Sequence, residues 1–122
     1  MFDVTALGEI LIDFTPCGKS EAGQRVFEQN PGGAPANVLA CLNKSSKKTA
    51  FIGKVGNDMH GQFLVDVLND SGICTDGVVV DDNVFTTLAF VALSDSGERS
   101  FSFARKPGAD TCLTQEELKE EI

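Results

Sequence analysis

The chain reads as an α/β fold: a parallel sheet flanked by helices, with a small β-sheet set apart from it. Three observations predict this. Apolar runs of strand length alternate with stretches of helical period through residues 2–80, the signature of right-handed parallel βαβ units. Glycine, proline and aspartate punctuate the junctions. After residue 84 the pattern becomes two β runs around "SDSGE", which signals a hairpin rather than another crossover.

The elements follow in order. "FDVTALG", Phe2 to Gly8, predicts a buried strand, and "EILIDF", Glu9 to Phe14, extends it or follows after a bend. Residues 15–24 are polar and hold Pro16, Gly18 and Gly23, so a loop or irregular edge is expected, with "RVFEQ" as a short strand. A helix is expected from Ala34 to Lys44; Pro35 suits its first turn, where a missing N–H costs nothing, and Val38, Cys41 and Leu42 share one face. "TAFIGKVG", Thr49 to Gly56, is a second core strand. Asp58 caps a helix from Met59 to about Ser71, with an apolar stripe of Met59, Phe63, Leu64, Val67 and Leu68 and a stop at Gly72. "GVVV", Gly77 to Val80, is a third strand. In the hairpin, Thr87, Ala89, Val91 and Leu93 alternate with Leu88, Phe90 and Ala92, so both faces are largely apolar. Either both faces are covered, one by the body and one by another surface, or the pair lies inside the core. In "LTQEELKEEI", Thr114 and Glu117 form a capping box that opens a last helix.

Composition narrows the function. The 122 residues suit one domain, and 42% apolar content is enough for a core. With 18 acidic against 10 basic residues the net charge is −8, which argues against nucleic-acid binding, a role that needs a basic face. Cys17, Cys41, Cys74 and Cys112 are widely spaced with no metal pattern, so free thiols in a cytoplasmic protein are expected and a metal site is not. The first residues lack a basic region before their apolar run, unlike a signal peptide, and no run is long enough to span a membrane. The sequons at Asn43 and Asn69 then read as chance matches.

Phosphate loops do not fit. Gly56 to Gly61 has the Walker spacing, but Gln62 and Phe63 stand where lysine and a hydroxyl are needed, and no G-x-G-x-x-G occurs. The single histidine, His60, supports no triad. More informative is "NPGGAPANVLACL", Asn30 to Leu42. Gly32 and Gly33 allow positive φ and close backbone approach, Ala34 and Ala36 keep that approach open, and Asn37 offers an amide in the first helical turn. Such a set suits a neutral polyhydroxy ligand; a tight turn with no ligand gives the same pattern. Asp13, at the end of "ILIDF", needs hydrogen-bond donors, which paired sugar hydroxyls or the N–H groups of a turn would both supply.

In order along the chain, "GEILIDFTP", "FEQNPGGAPANV", "FIGKVG", "TTLAFV" and "FARKPGAD" resemble the N-terminal part of the ribokinase-like (pfkB-type) carbohydrate kinases, and among them bacterial and plant fructokinases. Leu39 departs from the small residue usual at its position, and "NKSSKK" replaces the usual Leu-Gly helix stop. The resemblance implies that Asp13 binds sugar hydroxyls, that Gly32 and Gly33 form a hinge and that Asn37 contacts the sugar. It further implies that segments of about 14–31 and 84–106 form a β lid over the sugar, which pairs with a second subunit's lid in a homodimer. Phe103 and Arg105, alternating with Phe101 on one lid strand, are implied to face the sugar. The family reaction moves the γ-phosphoryl of ATP, with magnesium, onto a sugar hydroxyl, using a late Gly-Ala-Gly-Asp motif that is not in this sequence. The expectation is therefore the sugar-binding N-terminal part of a fructokinase, with no catalytic base, a sheet edge left bare and no cofactor bound by this chain alone. Asp110 in "PGAD" lacks the motif's glycine pattern and following helix. Two other readings stay open: a non-catalytic module that binds sugar or dimerises through the lid, and an α/β interaction domain whose likeness is only inherited.

Overall fold

The computed structural model covers residues 1–122. Strand β1 (Val4–Leu7) pairs in parallel with β4 (Thr49–Gly56), and β4 with β5 (Cys74–Asp81). Helices α1 (Ala34–Lys44) and α2 (Met59–Asp70) lie between them in sequence. Because the order β1-β4-β5 advances in one direction, right-handed crossovers put both helices on one face of the sheet. Their core there is Ile10, Ile12, Leu39, Phe51, Val55, Leu64, Leu68 and Ile73. Both outer edges of this sheet are unpaired, and Val4, Leu7 and Val80 on its edge strands are exposed.

A second sheet has the order β3-β2-β6-β7, from β2 (Leu11–Lys19), β3 (Arg25–Gly32), β6 (Leu88–Leu93) and β7 (Arg99–Ala104). Its hairpins β2–β3 and β6–β7 are antiparallel, and β2 and β6 are joined in parallel. "ILIDF" therefore does not extend β1; it opens the second sheet. The loop expected over 15–24 is mostly strand. Pairing of β2 with β6 ends at Phe14, so Pro16, which has no N–H to give, sits where β2 has a partner on one side only. One extra residue near Gly18 forms a bulge, and the turn closes from Ser20 N–H to Gln24 O at 2.8 Å. Strand β7 is exposed along its whole length, so the hairpin is not a strand pair inside the core.

Three further expectations need correction. On α1, Val38 is 57% exposed and Cys41 is exposed, whereas Leu39 is fully buried. The inward stripe is Ala36, Leu39 and Ala40; two of the three are small, so bulk hydrophobicity pointed to the wrong face. On α2, Met59 is 77% exposed, because the first turn overhangs the core that Leu64 and Leu68 fill. The capping box at Thr114 forms, but only a single 3₁₀ turn, Gln115–Glu117, follows it before Leu118 becomes extended. The Glu117 carboxylate, besides accepting from Thr114 N–H, takes 2.7 and 3.0 Å hydrogen bonds from Lys54 Nζ. Segment 112–117 is thereby drawn across the sheet face opposite the helices.

That Lys54 is buried on β4, where an unpaired ammonium would be costly. Glu117, Asp81 at 3.0 Å and Cys112 O at 3.1 Å satisfy it. The Glu117 hydrogen bond is the main reason its pKa is raised against the effect of burial. Glu117 is held below its ordinary value first by Lys54, and Asp81 first by the Asn83 N–H and then by Lys54. At the other end of α1, the replaced helix stop still works: Ser46 takes the left-handed conformation (φ 62°) that glycine usually supplies, and Ser46 and Lys47 N–H groups return to Asn43 and Leu42.

Candidate functional site

Residues paired across a sheet point to the same face. Asn30, Asp13, Ala89 and Phe103 stand in one row across the second sheet, from β3 through β2 and β6 to β7. Asp13 is half-buried and belongs to none of the chain's ion pairs. Gly32 lies against it: a Cβ at Gly32 would strike the Asp13 carboxylate. Gly33 is the residue that needs positive φ (116°), at the N-cap of α1, and a Cβ there would meet the Glu9 backbone. The two glycines thus have different reasons to be glycine, clearance for a carboxylate and backbone conformation. Asn37 is exposed in the first turn of α1, and with Pro31 and Gly32 it lines the cleft between α1 and α2. Asp13, Gly32, Phe103 and Arg105 gather on one face of the second sheet; Asn37, on the helix that Gly33 starts, opens instead into the α1–α2 cleft, which Gly32 also lines.

Arg105 follows Phe103 by two residues, and its guanidinium carbon lies 5.4 Å from the Phe103 ring centre, a cation–π contact. The Phe103 ring also stacks beside Phe101, with centres 6.1 Å apart. One guanidinium nitrogen, Nη2, donates to Asp110 Oδ2 at 2.6 Å and to Glu9 Oε2 at 2.9 Å. Asp110 is almost wholly buried, with 1% of its side chain exposed, and also accepts a hydrogen bond from the buried Thr87 hydroxyl. Burial works against the charge on Arg105, but Glu9 and Asp110 outweigh it and keep the guanidinium charged. Gly108 makes this closure possible, since any Cβ there would strike the Thr87 hydroxyl. Sequence reasoning missed Glu9 and Asp110 as partners of Arg105, and Thr87 as the hydroxyl that donates to Asp110. The one signal was the glycine two residues before Asp110.

The second sheet is tied to the body at Thr86. Asp58 caps α2 by accepting from Gly61 N–H at 2.8 Å, and its carboxylate also accepts from Thr86 N–H at 2.9 Å and the Thr86 hydroxyl at 2.8 Å. Burial would raise the Asp58 pKa, but these donors prevail and hold it below its ordinary value. On the sheet face opposite Asp13, Phe14 stacks on Phe90 with centres 5.0 Å apart, and Phe27 meets Phe90 edge-on at 6.0 Å. His60 packs edge-on against Phe14.

No group of three or more His, Cys, Asp or Glu is placed to hold a metal, and no glycine loop cradles phosphates. What the site offers is an unpaired carboxylate, amides, an aromatic face and a guanidinium, the equipment for a small polyhydroxylated molecule.

Solved structures that share this architecture include fructokinases. The chain superposes on a fructokinase from Xylella fastidiosa with a TM-score of 0.90 and 41% identity, covering 97% of this chain and 37% of that one. The same holds for a fructokinase with bound ATP from that organism, at a TM-score of 0.89 and 40% identity, with the same coverage. A probable fructokinase-5 of Arabidopsis thaliana is 46% identical over 121 residues, which is 98% of this chain and 37% of that protein. The profile of the pfkB family carbohydrate kinases matches residues 1–122, and the chain belongs to that family. It spans a little over a third of the length of these relatives.

Proposed function

We propose that this chain supplies the sugar seat and its β cover in an ATP-dependent carbohydrate kinase acting on fructose. The observation that carries the reading is the Asp13 carboxylate. It is half-buried, without an ion-pair partner, given room by Gly32 and set in one row with Asn30 and Phe103. A carboxylate in that state accepts from two neighbouring hydroxyls, Asn37 adds an amide, Phe103 covers an apolar sugar face, and Arg105 donates from above. In the reaction, the O6 oxygen of fructose bonds to the γ-phosphorus of ATP. The bond from that phosphorus to the β–γ bridging oxygen breaks, and the hydroxyl proton leaves to a base. The products are fructose 6-phosphate and ADP. The residues described here would bind and orient the acceptor and exclude water, while ATP, magnesium and the base would come from outside these 122 residues. The second sheet would act as the lid, moving at Gly33, in a cytoplasmic enzyme.

The face behind the lid favours one addition. Phe27 and Phe90 remain 39% and 38% exposed in an aromatic cluster, which fits pairing of two lids in a homodimer. The test of the main reading is a set of thermal melts followed by circular dichroism, since the chain has no Trp or Tyr. Fructose, glucose, ribose, or ATP with magnesium is added in turn. Binding to the folded state at 100 times Kd adds about 2.7 kcal/mol, so fructose should raise Tm by several degrees and Asp13→Asn should remove that rise. A wild-type melt that no sugar moves would overturn the assignment.

A further inference from the structure

The charges on the Asp13 face do not balance. Glu9 and Asp110 bring two carboxylates to the one guanidinium of Arg105, and Asp13 adds a third carboxylate to the same face. In-register pairing puts Glu28 on the same face, opposite Thr15. The other cation of that face, Arg99, stands at the far end of β7, six residues before Arg105 and roughly 20 Å away at strand spacing, where salt screens it. Lys106 lies in the turn after β7 and joins none of the chain's ion pairs. Asp110 is buried and already neutralises Arg105 from within. Glu9 is different: 47% of its side chain is exposed, and it meets the guanidinium from the solvent side, where an incoming ligand would also arrive. An arginine left with Asp110 alone would keep an open edge suited to a sugar carboxylate or phosphate. Glu9 shares Nη2 with Asp110 and sets a negative charge at that edge, leaving Nη1 to donate to a neutral hydroxyl.

We infer that Glu9 is a specificity-determining residue: its carboxylate cancels the free attraction of Arg105 for anions, so the site takes neutral polyols and turns away sugar acids and sugar phosphates. The inference rests on the proposed sugar seat and names the substrate class it admits. The mechanism is like-charge exclusion. An anionic sugar must either displace Glu9 from Arg105 or sit beside Glu9 and Asp13 without a counterion, and either costs affinity. Asp110 and Thr87 act as positioning residues that fix the guanidinium against Phe103, so that Glu9 always finds it in the same place.

The test uses the full chain and three probes: fructose, gluconate and fructuronate. The two acids carry the carboxylate at opposite ends of a six-carbon chain, so the orientation of the sugar does not decide the result. Affinities are read from the dependence of Tm on ligand concentration for wild type, Glu9→Gln and Glu9→Asp. Glutamine keeps an acceptor for Nη2 and removes only the charge. In wild type, fructose should bind in preference to both acids, and the preference should weaken as salt rises. In Glu9→Gln the ratio of fructose affinity to acid affinity should fall by roughly tenfold or more, while Glu9→Asp should retain discrimination. An unchanged ratio in Glu9→Gln, or a wild type that binds the acids as well as fructose, overturns the inference and leaves the sugar seat standing. A wild type that responds to none of the three removes the seat itself, and the charge filter with it.

Discussion

Phe51 and Phe101 are the same residue in two situations. Phe51, on β4, is fully buried among Leu39, Val55 and Leu64; Phe101, on β7, is 55% exposed and stacks on Phe103. The contrast holds for the sheets that carry them. The parallel sheet and its helices enclose a core with fixed partners. The antiparallel hairpins expose large apolar and aromatic side chains on both faces, arranged in rows. Stability in this chain resides in the first region, and the proposed recognition in the second.

That division can be broken by experiment. The largest loss should come from Phe51→Ala, about 3–5 kcal/mol, which is a large part of what a domain of this size has to lose. Chemical unfolding followed by circular dichroism measures it. Asp58→Ala should come next, at about 1–2 kcal/mol, since it removes both the cap of α2 and the tie to Thr86. It also carries a pH signature. The folded Asp58 pKa lies below the unfolded value of about 3.9, so its contribution is complete above that value and is lost as pH falls through the lower folded one. The fall in Tm between pH 6 and pH 3 should therefore be smaller in Asp58→Ala than in wild type. Phe101→Ser should cost under about 1 kcal/mol in the same unfolding measurement; a loss matching that of Phe51→Ala would mean the second sheet is as much core as the first. Asp13→Asn should be nearly neutral for the unliganded chain and should show its effect only in the fructose melt. A large loss without sugar would make Asp13 a structural residue.

Much of the body was legible in the sequence, because its signals are local. Pro35, Asp58 and Gly72 mark helix ends by backbone chemistry that acts within a turn, and α1 and β4 begin and end where the residues say. The face of α1 was not legible, since Ala36 and Ala40 face inward as small residues while Val38 faces out. The extent of β2 and β3 was hidden by Pro16 and Gly18, which read as loop until the missing partner strand beyond Phe14 explains them. At the site, Gly32, Gly33 and Asn37 fall within one six-residue run, and Asp13 stands out as a carboxylate ending an apolar strand, so each could be singled out from its own local sequence. The Arg105 cluster could not. Its members Glu9, Thr87 and Asp110 come from three separate segments, and only the fold brings their charges to one point.

Strand β2 has a consequence of its own. Ile12 is fully buried in the core of the parallel region, and the next residue, Asp13, faces the proposed ligand. The Ile12 amide donates to Thr87 O at 3.2 Å, so the bond that joins β2 to β6 is made by a residue whose side chain is anchored in the body. The two regions therefore cannot melt in sequence without tearing this strand from one of them. Heat should see a single unit, and the exchange of the Ile12 amide with solvent deuterium should slow when a sugar binds one residue away, reporting at once on the seat and on the core beneath it.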